Sequence, residues 1–174
     1  MVLESITSEY ERYKSLAEMA VAQVKDRDLH KVIGDDGNSI AVVVNHLSGN
    51  LKSRFTRFLT EDGEKPWRNR DREFDEAPED RAVMLERWEE AWSILLDTLK
   101  SLTDSDLGKT VRIRGQELTV SDALERSLAH TSYHVGQIVL MARVHVGESW
   151  KSLSIPRGKS QAYSAHPSKE RRPR

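Results

Sequence analysis

Two histidines four residues apart, His130 and His134, are the residues of this 174-residue chain whose spacing most suggests chemistry. On a helix that spacing puts both imidazoles on one face, with Cβ atoms about 5–6 Å apart. Imidazole nitrogens bind zinc at ~2.0–2.1 Å, so one divalent ion can be gripped by both. Six histidines scattered at random in a chain this long give ~0.2 such pairs, so the spacing alone decides little. At 100° per residue, Gln137 and Met141 lie within about 20° of His130 on the same stripe. A second His-led stripe starts at His46 and continues through Asn50, Ser53 and Arg57. Each stripe is displaced by roughly 120–130° from the apolar centre of its own helix, in the same sense. Two helices packed side by side can therefore bring His46 to the His130–His134 pair at the rim of a core. The same three residues also fit hydrogen-bonded histidines on helix flanks, and spacing does not choose between the two readings.

On the metal reading, three neutral imidazoles leave a coordination position for water or substrate, the arrangement of catalytic rather than structural zinc. Asn50 and Gln137 are placed to orient a ligand or a substrate, or simply to face water. Of the other histidines, His30 reads as a cation in the last turn of the first helix. His145 is ~22 Å further along its helix than His130, and His166 falls in an irregular tail.

Four amphipathic segments must position these residues. Glycines and prolines are few and cluster between them. The first helix is expected over about 5–29, with Ile6, Tyr10, Tyr13, Ala17, Ala20, Val21 and Val24 on one face. The second, about 39–60 behind an Asn38 cap, carries Ile40, Val44, Leu47, Leu51, Phe55 and Phe58. The third, about 79–102, carries Trp88, Trp92, Leu95 and Leu99 beside Leu85 and Leu96. The fourth, about 121–146, carries Leu124, Leu128, Val135, Val139 and Ala142. Between the last two, residues 110–120 alternate apolar and polar around Gly115, as a short β-hairpin does. Thr119 with Asp122 reads as the capping box that opens the fourth helix. The expected architecture is all-α: an up-and-down four-helix bundle over residues 1–174 as one domain, with that hairpin and an irregular tail from 147. The closing KERRPR is expected to be frayed.

Composition excludes several classes of function. The chain has no cysteine, which removes disulfide frameworks, thiolate-ligated zinc and a cysteine nucleophile. Its net charge of -1 argues against a dedicated nucleic-acid binder, although the end from Arg157 on holds six basic residues and one acid. No window of about 18 apolar residues exists, and Glu4 precedes any apolar run, so a membrane span and a secretory signal are not expected. A cytoplasmic location is expected.

Longer stretches carry a resemblance. Asn45-His46-Leu47, together with His130-Thr-Ser-Tyr-His134-Val-Gly-Gln137, resembles the DinB/YfiT-like superfamily, a group regarded as metalloenzymes. Further stretches resemble one subfamily known only as a domain of unknown function: Asn38-Ser-Ile, His46-Leu-Ser-Gly-Asn50, residues 62–71, Ile113-Arg-Gly and residues 150–160. Ser164 stands where relatives are expected to carry Asn. The resemblance implies a four-helix bundle that pairs as a homodimer. It implies a divalent metal, zinc or nickel, on His46, His130 and His134. It also implies a low-molecular-weight thiol as co-substrate, used in transfer to electrophiles or in isomerisation. With no cysteine in the chain, any reactive sulfur must arrive with a ligand.

The connection DGEKPWRNRDREF, residues 62–74, places Arg68, Arg70 and Arg72 among acids beside Trp67. It reads either as a solvated, self-paired charge cluster or as a clamp for a carboxylate-bearing substrate or thiol. On the second reading Arg68, Arg70 and Arg157 line the mouth of the metal site. The function expected is a metal-dependent transferase or isomerase acting on a small electrophile. The alternative is a non-catalytic metal-binding or stress-response dimer.

Overall fold

Three of the long helices begin where a short polar side chain replaces the missing backbone partner of the first turn. In the computed structural model, which describes residues 2–167, Ser39 accepts from the Val42 N–H to open α2 (Ile40–Phe55). Asp80 accepts from the N–H groups of Ala82 and Val83 to open α4 (Arg81–Ser101). Thr119 and Asp122 form a reciprocal capping box at the start of α5 (Val120–Val146). α1 covers Val2–Val21. Two short helices complete the set, α3 (Arg72–Asp75) in the connection after α2 and α6 (Ser160–Ala165) in the tail.

The four long helices share one hydrophobic core, with α2 packed on α4 and α5, and α1 on α5 and α4. Trp92 and Tyr10 are fully buried at its centre with their rings edge-on, 6.2 Å between centroids. The Tyr10 hydroxyl donates to the Leu124 carbonyl at 3.1 Å, so the one polar atom of that side chain is answered inside the core. The expected apolar faces are the buried ones, with Tyr13, Leu85, Leu96, Leu128 and Val139 only half-buried at their margins. α2 is buried nearly all round, including His46, Ser48, Asn50 and Ser53.

The hairpin pairs β1 (Thr110–Ile113) antiparallel to β2 (Gln116–Thr119), with Thr110 opposite Thr119 and Ile113 opposite Gln116. Its two-residue turn, Arg114-Gly115, has both residues at positive φ, 55° and 74°, as a type I′ turn requires. Asp62 holds this tip: its two carboxylate oxygens accept from the N–H groups of Arg114 and Gly115 at 2.8 and 2.7 Å. The hairpin is thereby fastened to the connection that follows α2.

Four boundaries differ from expectation. α1 stops at Val21 rather than near 29, because Arg81 takes over its end. The Arg81 guanidinium donates to the carbonyls of Val21 and Val24 and pairs with Asp26, beside a 3-10 turn at Asp26–Asp28. His30 therefore lies beyond the helix and is not in its last turn. α2 stops at Phe55 rather than near 60: Arg57 takes a positive φ of 48°, and Phe58 reaches the core from a turn. Ser39, not Asn38, is its cap. The tail is not wholly irregular, since it contains α6. KERRPR lies outside the described residues. Among the described residues, no helix is long and apolar enough to cross a membrane.

Candidate metal centre

His46 sits mid-way along α2, and His130 and His134 stand one turn apart on α5. The packing of α2 on α5 brings all three together. His130 Nε2 is 3.3 Å from His46 Nε2 and 3.1 Å from His134 Nε2. One potential ligand atom from each lies within 4.8 Å of the others, a group that can hold a metal ion. Three nitrogens each ~2.0–2.1 Å from one tetrahedral ion would lie about 3.3–3.4 Å apart. The two spacings from His130 are close to those a bound ion needs.

The outer nitrogens of two rings fix which nitrogen faces inward. His46 Nδ1 is 2.9 Å from Glu73 Oε2, and a carboxylate can only accept there, so Nδ1 carries a proton and Nε2 is the nitrogen that a neutral ring offers to a metal. His134 Nδ1 is 2.8 Å from Gln137 Oε1, and the amide oxygen imposes the same tautomer. Gln137 thus contacts one of the three histidines. Asn50 is buried and lines the adjoining cavity. Burial pushes His130 down to about 4, helped by the neighbouring His134 and His46. His134 is also lowered, first by burial. Both are therefore neutral at pH 7, the form in which imidazole binds metal.

Glu73 is the residue that spacing did not reveal. It projects from α3 with its side chain only 9% exposed, and it joins His46 to Arg68. Arg68 Nε and Nη2 donate to its two oxygens at 2.7 and 2.9 Å, a bidentate pair. Burial raises the Glu73 carboxyl, but the bonds from Arg68 and His46 outweigh it and leave the pKa below the ordinary value. Gly49 on α2 makes the approach possible: a Cβ there would sit 2.2 Å from Glu73 Oε1. A glycine inside a helix costs roughly 1 kcal/mol, so this one marks a close approach, although it does not say by what. Phe74, next to Glu73, stacks against the His46 ring at 4.7 Å between centroids.

A cavity of about 770 Å³ adjoins the three histidines, within the usual range for small-molecule sites. Arg68 and Arg70 both line it. Arg68, however, is neither solvated nor free to clamp a ligand: its side chain is 1% exposed and pinned to Glu73. Arg70 lies over the Phe74 ring and is exposed. Arg157 is not brought to the cavity. Gly147, at a φ of 62°, turns the chain off the far end of α5, about 24 Å of helix beyond His130. Lys151 then pairs with Gln23 beyond the end of α1, and Arg157 follows on an exposed turn. Arg54, Arg114 and Arg126 line the cavity without having been singled out. The signal for Arg126 was available, since it precedes His130 by four residues on the same helical face.

A family model described as a protein of unknown function (DUF1572) matches residues 1–159. The chain belongs to the DUF1572 family. That match spans every residue of the triad, of the Glu73–Arg68 support and of the hairpin, so the whole site lies within the DUF1572 region. No curated protein and no solved structure matches the chain.

Proposed function

We propose that this protein is a divalent-metal-dependent enzyme in which His46, His130 and His134 hold the ion. The observation that carries the reading is the convergence of three Nε2 atoms, two of them fixed as lone-pair donors by Glu73 and Gln137. Such a donor set suits zinc or nickel. Bound there, a divalent ion supplies Lewis acidity that favours the deprotonated form of a water or a thiol. The residues of this chain do the rest. Glu73 and Gln137 hold the imidazoles in register, Arg68 keeps Glu73 ionised, and the cavity receives the substrate beside His130.

In this reading the chain is a DinB/YfiT-like up-and-down four-helix bundle and one domain, located in the cytoplasm. Its reaction is thiol-dependent transfer to, or isomerisation of, a small electrophile, the thiol coming from solution. An exposed apolar stripe on α5, formed by Tyr133, Leu140 and Val144, supports pairing as a homodimer. The cavity beside the triad favours an enzyme over a non-catalytic metal-binding or stress-response bundle, for which a closed site would serve.

Cobalt-substituted protein titrated with 2-mercaptoethanol tests the chemistry. A sulfur-to-cobalt charge-transfer band that saturates, and is missing from His130→Ala, is expected. Unchanged metal content and unchanged thiol response in His130→Ala would refute the proposal.

A further inference from the structure

The arginines around the cavity outnumber the carboxylates that answer them. Five guanidinium groups line it: Arg54, Arg68, Arg70, Arg114 and Arg126. Three carboxylates reach this set, and two of them do so closely. Glu64 pairs with Arg54 and Arg114 at 3.0 Å each, and Glu73 takes Arg68. Even Arg68 is incompletely answered, because its Nη1 is buried without a hydrogen-bond partner and stands 3.7 Å from Glu64. Arg70 has only the exposed Asp71 at 4.0 Å. Among the described residues, Arg126 has no ion-pair or hydrogen-bond partner, and no acidic residue lines the cavity. A cleft of one charge sign with low-dielectric walls focuses its field on what enters.

The placement is as informative as the charge. Arg126 stands one turn before His130 on α5, about 6 Å along the axis. Arg114 faces the same space from the hairpin tip, where Asp62 fixes the backbone, and Arg70 faces it from the connection. The same cavity is also lined by the apolar side chains of Phe74, Ile113, Leu118 and Tyr133, with the uncharged polar groups of Asn50, Gln116 and Ser127.

We propose that Arg126, with Arg114 and Arg70, forms an oxyanion subsite of the cavity, so that the ligand is a small molecule with an apolar body and a carboxylate or phosphate end. The subsite holds that end about one helical turn from the triad and leaves the other end of the molecule beside His130. This deepens the metal-enzyme reading and rests on it for the role of the triad, but the oxyanion contact itself needs no metal. It also moves the anion clamp from Arg68 and Arg157, one pinned and the other remote, to Arg126, which has no partner among the described residues, to Arg70, and to Arg114, which shares Glu64 with Arg54.

The test is a calorimetric titration of the full chain, metal-free and zinc-loaded, at low ionic strength. The probes are 3-phenylpropionate, its amide and phenyl phosphate. Both anions are expected to bind at least fivefold more tightly than the amide in both forms of the protein, and the tighter of the two identifies the headgroup. Arg126→Ala, at an exposed side chain without a partner among the described residues, is expected to abolish that preference without altering metal content. Equal binding of anion and amide by the metal-free protein overturns the subsite. So does a preference that survives Arg126→Ala or appears only with zinc, which would put the oxyanion on the metal. A preference lost in Arg126→Ala, in a protein that takes up no zinc, upholds the subsite and refutes the metal reading alone.

Discussion

The two walls of the site are built in opposite ways. On the α2 side, His46, Glu73 and Arg68 form a buried hydrogen-bonded chain, in which Arg68 and Glu73 pair bidentately and Gly49 clears the space for the carboxylate. On the α5 side, His130 is half-buried, its Nδ1 has no hydrogen-bond partner among the described residues, and Arg126 faces the cavity alone. Rigidity on one wall and unspent valence on the other is a sensible division for a site that must hold an ion and still receive a ligand. A buried ion pair is costly to break and worth little net stability when intact. The α2 wall is therefore better understood as a device for orientation than as a source of stability.

The largest effect expected from this contrast is at Glu73. Glu73→Gln removes the charge that answers Arg68, and it should destabilise the metal-free protein by about 3 kcal/mol in urea denaturation. It should also weaken metal binding 10–100-fold by freeing the His46 tautomer. A loss below about 1 kcal/mol would erase the distinction between the walls.

A smaller effect belongs to the α5 wall and to pH. An unfolded histidine takes up its proton near pH 6.5, whereas His130 in the folded chain does so at about 4. Between those values the unfolded state binds more protons, so stability must fall as pH falls. With solvent screening at a half-buried group, the loss from pH 6.5 to 4.5 should be about 1–2 kcal/mol in the metal-free protein. His134, lowered in the same direction, adds to the loss, and Glu73, whose pKa is also lowered, adds to it only at the acid end of that window, where the unfolded carboxyl takes up protons. His130→Ala should flatten the slope, as read by denaturation midpoints across the pH series.

Gln137→Ala should act on affinity only, weakening metal binding by no more than about tenfold and leaving stability within ~0.5 kcal/mol, since the amide holds one ring and no charge. Arg157→Ala should change neither metal affinity nor stability measurably, because the tail leaves α5 at the end remote from the site. An effect of Arg157→Ala on ligand affinity would restore the tail to the mouth of the cavity.

Much of this was legible in the residues, for reasons that also explain the rest. The apolar periodicity of α2, α4 and α5 placed their core faces, and the Thr119–Asp122 signature marked where α5 begins. The end of α1 was not legible, because Val24 and Leu29 continue to be buried after the helix has stopped. What stops it is Arg81, which is 60 residues from Val21 in sequence. The histidine stripes pointed at one another because helical phase is a local property. Glu73 has no phase to read: it lies on a four-residue helix, and its importance comes from reaching His46 across 27 residues. Arg68 and Arg157 look alike in sequence, each near a proline in a long connection, yet one is sealed against a carboxylate and the other is in solvent.

The central claim is that three imidazoles from two helices hold one divalent ion. Metal analysis of protein purified without a histidine tag, wild type beside His46→Ala and His130→Ala, tests it most directly. The account predicts one zinc or nickel ion per wild-type chain and none above background in either variant. Metal retained in both variants, or wild-type protein that takes up none when both ions are offered, would contradict it.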